Sequence, residues 1–231
     1  MKLFRVLSLV VVLSFIHCSE ETLPPVHLCD SSFYPVSVGL YWDYKVHAVD
    51  IKVLGNDTSD YYVRDVVTDS LIVSPSDVTY LLSRYVRSGL SDPWVQDSLW
   101  SIRKTDYHFV ETRNNTPLVK LVFPIGDLSV WDGNLYNNMS AVMYSYEYEG
   151  LSELATVVDL DNLKLVRTLI SDFDSPITGQ DKRTEIFAQG IGLVEKSYRI
   201  INLCTVSEDC ELGSIIGGWE LEQVLIGYGV I

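Results

Sequence analysis

The stretch GLYWDYKVHAVDIKVL, residues 39–54, sets aromatic and β-branched residues in near alternation with polar ones. A period of two sends successive side chains to opposite faces, which marks a strand rather than a helix. Gly55, Asn56 and Asp57 interrupt it, and YYVRDVVTDSLIV at 61–73 alternates again. Two long neighbouring strands joined by a turn are therefore predicted. Pro35 denies a ladder donor just before the first strand, and Gly39 permits a bend. Tyr41, Trp42 and Tyr44 put aromatic mass on both faces, with Trp42 read as a core anchor.

The pattern continues outward from this pair. Strand-like runs recur at VTYLLSRYVRS (78–88), WVQDSLWSIRK (94–104), YHFVETR (107–113), LVKLVF (118–123), AVMYSYEYEG (141–150), LKLVRTLISDF (163–173), RTEIFAQGIGLVEKSYRIINL (183–203) and GWELEQVLIGYG (218–229). Asn114-Asn115 reads as a hairpin turn. Helical period is scarce, with SELATVVDLDNL at 152–163 the one short helix candidate. The expected fold is mainly β: a single antiparallel, strongly curved sheet, sandwich or half-barrel of about ten strands with few short helices.

Ahead of this domain, Lys2 and Arg5 precede the apolar run Val6–Ile16. That is the charged and apolar pattern of an export signal, and it is well short of the roughly 20 residues of a spanning helix. No small-x-small cleavage site follows. Instead Ser14-Phe15-Ile16-His17-Cys18 resembles the lipobox of bacterial lipoproteins, with His17 departing from the usual Gly, Ala or Ser before the cysteine. The expectation is a signal peptide over 1–17, a lipid-anchored tether over 18–32 stiffened by Pro24-Pro25, and a β domain over 33–231. A multiply acylated Cys18 would hold the protein on a membrane without a helix.

Charge narrows the partners. The chain carries a formal charge of −14. Removing residues 1–17 takes away Lys2 and Arg5 and no acid, so the mature chain is more acidic still. Such a chain repels phosphate backbones, which argues against nucleic acid and against electrostatic docking on anionic lipid. With 47% hydrophobic residues and 14 tyrosines, global disorder is excluded. In an oxidising compartment Cys204 and Cys210, flanking TVSED, make a candidate disulfide that leaves Cys29 unpaired, although Cys29 could instead take one of the two.

Catalytic signatures are missing. His27 lies in the tether, and His47 and His108 stand singly in strand-like runs, with no G-x-S-x-G elbow and no H-E-x-x-H pair. Asp159 with Asp161, or Asp172 with Asp174, put carboxylates at a spacing of two that suits calcium, but solvated charges are the simpler reading. Gly190 and Gly192 lack the third glycine and following helix of a dinucleotide site, and read as a kink or bulge. No metal and no cofactor is expected. In SVWDGNLYN, Trp131, Asp132, Asn134 and Tyr136 combine an aromatic pair with turn residues, a set that can grip a sugar by stacking and hydrogen bonds.

Four segments then carry a resemblance. FYPVSVGLYWDY (33–44), KLVFPIGDLSVWDGNLYN (120–137), EIFAQGIGLVEK (185–196) and WELEQVLIGYG (219–229) resemble, in order, the segments of an uncharacterised family of Bacteroidota surface lipoproteins. Ser19-Glu20-Glu21 is similar to the acidic tether that sends such proteins to the outer face of the outer membrane. The resemblance implies a lipoprotein at the cell surface, or else on the periplasmic face. It implies no activity; its β pattern is similar to carrier folds whose curved sheet half-wraps an apolar cavity. The expectation is a non-catalytic binding role, for an apolar ligand on the concave face or for a partner protein. The alternatives are a cell-surface glycan binder using Trp131 and Tyr136, and a carboxylate-dependent hydrolase.

Overall fold

The structure, a computed structural model, describes residues 31–74, 77–126, 129–147, 163–206 and 210–231. The signal, the tether as far as residue 30, Cys18, Cys29, Asp159, Asp161 and nearly all of the helix candidate lie outside the described residues. What is described forms one antiparallel sheet of twelve strands, a single strongly curved and nearly closed sheet. The strands are β1 (Leu40–Lys52), β2 (Asp57–Ser74), β3 (Asp77–Arg87), β4 (Val95–Thr105), β5 (His108–Arg113) and β6 (Thr116–Val122). They continue with β7 (Val130–Asp132), β8 (Met143–Glu147), β9 (Leu165–Ser175), β10 (Gly179–Ala188), β11 (Gly192–Leu203) and β12 (Ile215–Val230). Two strands exceed the sequence expectation. The 183–203 run folds back on itself at Gln189–Ile191 to give β10 and β11, and β7 is too short to show a period.

The order β6-β5-β4-β3-β2-β1-β12-β11-β10-β9-β8-β7 is an up-and-down meander joined through the chain ends. The β1·β12 pair runs from Leu40 opposite Val230 to Lys52 opposite Gly217 and carries a bulge at Asp43/Tyr44. Such a bulge increases local twist and bends the strand, which helps the sheet curl. Asn114 and Asn115, both at positive φ, make the β5–β6 hairpin turn that their sequence predicts. Gly179 is required by close approach, since a Cβ there would lie 1.8 Å from the Ile201 carbonyl oxygen.

Curling brings the two edge strands together, and side chains complete the seam. Val119 N–H donates to the Gly133 carbonyl and the Trp131 indole N–H donates to the Val119 carbonyl, each at 2.9 Å. The Tyr146 hydroxyl accepts from Val122 N–H and donates to the Val122 carbonyl. The β6 edge is thereby covered rather than left as a pairing template.

One end of the barrel-like interior is plugged by the chain as it enters. Tyr34 stacks on Phe109 with ring centroids 4.0 Å apart and packs against Trp42 and Phe187. Trp42 donates from its indole to the Ile191 carbonyl at 2.6 Å, and Tyr44 from its hydroxyl to the Leu193 carbonyl. Trp42 is therefore the core anchor its sequence context suggests, at 1% exposure. At the opposite end, the loop after β11 is closed by the Cys204–Cys210 disulfide. A bridge spanning so short a loop restricts the unfolded chain by about 2 kcal/mol. The paired Cys204→Ser, Cys210→Ser variant is expected to lose that amount in denaturant unfolding, and an unchanged midpoint would show the bridge to be idle.

Candidate functional site

The inward positions of the strands are not uniformly apolar. Asp65 lies in phase with Val63 and Val67 on β2, Arg84 with Leu82 and Val86 on β3, and Glu111 with Phe109 on β5. On the far wall, Glu185 of β10 pairs in register with Lys196 of β11. With Arg113 and Lys120 these groups make a layer of seven charged side chains across the middle of the interior. The space left among them is about 10 Å³, room for roughly one water.

The layer divides into linked pairs. Arg84 donates through Nε and Nη2 to the two oxygens of Asp65, both at 2.7 Å, while its guanidinium lies 3.9 Å from the Trp100 ring. Arg113 covers the same ring at 3.4 Å and places Nε 2.5 Å from Glu111 Oε1. Glu185, fully buried, receives Lys120 at 2.7 Å, Lys196 at 3.2 Å and the Tyr198 hydroxyl at 2.6 Å, all on Oε1. Its second oxygen has no hydrogen-bond partner among the described residues.

Titration follows from this crowding. Burial alone would raise the Glu185 carboxyl, but Lys120 and Lys196 outweigh it and hold the group far below the ordinary range. Burial disfavours the Lys196 ammonium and Glu185 recovers only part, so its pKa is lowered to about 8. For Lys120 the attraction of Glu185 outweighs burial and the pKa stands above its usual value. Glu111 is held low in spite of burial by Arg113 and the two lysines.

A filled, charged interior corrects one expectation. No apolar ligand fits on the concave face at this level, because aromatic and ionic side chains already occupy it.

Space does open at the unplugged end, between β2, β3 and β4. Here a cavity of about 610 Å³ has the inward Tyr61, Val63, Val86 and Val95 as its wall and Arg84 at its floor. The β3–β4 connection contributes Arg87, Asp92 and Pro93 to the rim, and Asp97 stands at the β4 side. The size is that of a site for a small organic molecule, and the lining mixes aliphatic and charged residues with Tyr61 and Ser88.

The residues proposed for sugar binding serve another purpose. Trp131 is 7% exposed, packed against Tyr144 and Tyr146 and bonded to Val119. Asp132 Oδ1 accepts from the N–H groups of Asn134 and Val142. Asn134 is buried, and its amide lies 2.5 Å from the Ser140 carbonyl, to which it donates. Tyr136 is exposed, with its hydroxyl 2.8 Å from His108 Nδ1, and burial lowers the His108 pKa. Three of the four thus build the loop that seals the sheet edge, and no stacking platform results. Asp174 is likewise engaged, by Lys182 and Gln180.

No protein-family model matches the chain and no curated protein matches it. Among solved structures, a protein of Bacteroides fragilis to which export and a YmcC-like fold are ascribed aligns at TM-score 0.46 with 11% identity, over 85% of this chain and 98% of that one. A likeness at this level says nothing of activity.

Proposed function

We propose that this is an exported, lipid-anchored, non-catalytic binding protein that seats an amphipathic small molecule in the open mouth between β2, β3 and β4. The observation that carries the reading is the cavity of about 610 Å³ whose wall is aliphatic and whose floor is an ion-paired guanidinium. An aliphatic wall rewards apolar surface, while Arg84 held by Asp65 offers polar groups that need no rearrangement to meet a ligand. Support for export comes from the signal-like start of the chain and from a disulfide, which persists in oxidising compartments. Anchoring is assigned to Cys18. Mass spectrometry of protein taken from its own membrane tests the anchor, and unmodified Cys18 there would remove it.

The mouth is tested with a neutral amphipathic fluorophore, N-phenyl-1-naphthylamine. Val95 is exposed on the cavity wall, so Val95→Trp should fill the space at little cost to folding and lower dye affinity about tenfold or more. Equal binding by both proteins, or none by the wild type, would sink the reading.

A second reading, a partner protein, rests on a different observation. Lys52, Gly217, Asn202 and Gly179 lie in one row across four strands, and the hairpin tips beyond that row expose Val53, Leu54, Ile177, Leu212, Ile215 and Ile216. Aliphatic groups concentrated at one end in this way mark contact surfaces. A photo-crosslinker at Leu54 should then label a protein that one at Leu71, exposed elsewhere on the sheet, does not. Identical labelling from both would dismiss it.

A further inference from the structure

We infer that the ligand of the mouth is cationic, an amphiphile carrying an ammonium group; this rests on the reading of the mouth as a binding site. The assignment follows from which charges there are already satisfied. Arg84 is neutralised by Asp65 through two hydrogen bonds and stacked on Trp100, so it contributes no net charge. Arg87 has no carboxylate partner among the described residues, but its guanidinium is committed to the loop. Nη1 donates to the Leu90 carbonyl at 2.7 Å, and the Trp94 and Tyr62 rings lie 4.2 and 5.5 Å away.

The carboxylates are in the opposite condition. Asp92 is exposed, folds back over Gly89 and makes no ion pair or side-chain hydrogen bond among the described residues. Asp97 is exposed and, among the described residues, accepts only from the Ser98 hydroxyl, at 2.9 Å. Two acids without an ion-pair partner therefore face one guanidinium, which is packed on Trp94, bonded through Nη1 and unpartnered at Nε among the described residues, so the rim carries more acid than base. They stand beside Val63, Val86 and Val95 in a single cavity, so a ligand with an ammonium head and an apolar body meets both halves of the lining at once. Tyr61 adds an aromatic ring on the same wall, a surface that attracts cations. The field of the whole chain acts in the same direction, since a formal charge of −14 concentrates cations and repels anions.

Calorimetric titration of the intact protein with n-octylamine, n-octanol and octanoate separates the outcomes. At low salt octylamine should bind about tenfold more tightly than octanol, with octanoate the weakest, and added salt should narrow the gap. Asp92→Asn combined with Asp97→Asn should bring octylamine down to the octanol value and leave octanol unchanged. Octanoate binding as well as octylamine, or octylamine unaffected by the double substitution, would overturn the charge assignment while leaving the mouth itself standing. Failure of all three probes to bind would instead remove the mouth as a site.

Discussion

Glu185→Gln is expected to lower the stability of this protein by about 3–5 kcal/mol in urea unfolding, because removing one partner of a buried ion cluster leaves uncompensated charge. Glu185 is fully buried with Lys120 and Lys196 on one oxygen, so neutralising it strands two ammonium groups away from water. The converse deletion differs in sign of charge and should differ in cost. Asp65, Glu111 and Glu185 face Arg84, Arg113, Lys120 and Lys196, so the layer holds one cation more than it holds acids. Lys196→Met removes the excess and is expected to cost under about 1 kcal/mol, with its methylene packing retained. Equal losses for the two variants would show that charge balance does not govern this layer.

The cluster and the buried tyrosines set a pH dependence with three limbs. Folded Lys196 gives up its proton at about 8, whereas the unfolded side chain keeps it up to its ordinary 10.5. Between these values the unfolded state binds more protons, so stability rises with pH from about 8. Above the ordinary tyrosine value of 10.0 the raised pKa values of buried Tyr34, Tyr44 and Tyr198 turn the slope downward, because the unfolded chain then loses protons first. Lys196→Met should flatten the rise without touching the fall. At the acid end Glu185 is depressed in the folded state, so its contribution is complete above its ordinary 4.5 and is lost as pH falls below it.

Trp131→Ala is expected to cost about 3–5 kcal/mol, the loss typical of a large aromatic removed from a core. Trp131→Phe, which keeps most of the packing and loses the indole bond to Val119, should cost about 1–2 kcal/mol. Tyr136→Ala, on the exposed side of the same loop, should stay within about 1 kcal/mol. Thermal unfolding of the three variants is sufficient to check the order. A Trp131→Ala protein with unchanged melting temperature and reduced glycan affinity would restore the stacking role that burial denies it.

The contrast between Trp42 and Trp131 shows where sequence reading holds and where it stops. Trp42 sits inside a long alternating run, so its phase alone places it inward. Trp131 sits in a strand of three residues, too short to carry a phase, and its position depends on an edge 12 residues earlier in the chain. The charged layer was open to inspection in a limited sense. Asp65 between Val63 and Val67, and Glu185 in phase with Phe187, are acids on an apolar phase, a pattern that marks a buried and partnered group. Which base each acid meets could not be read, since Lys120 reaches Glu185 across 65 residues and across the interior rather than along a ladder.

From sequence alone came the mainly β, antiparallel class of fold, the Asn114-Asn115 turn and Cys204 with Cys210 as a candidate pair, because each depends on neighbours in the chain or on a period of two. Closure of the sheet, the filling of its interior by ions and the survival of open space at the end away from Tyr34 were decided by tertiary structure. Those outcomes depend on how far the sheet curls and on which side chains then face one another across it. Curvature accumulates from bulges and twist over twelve strands, and no local stretch of residues carries that sum.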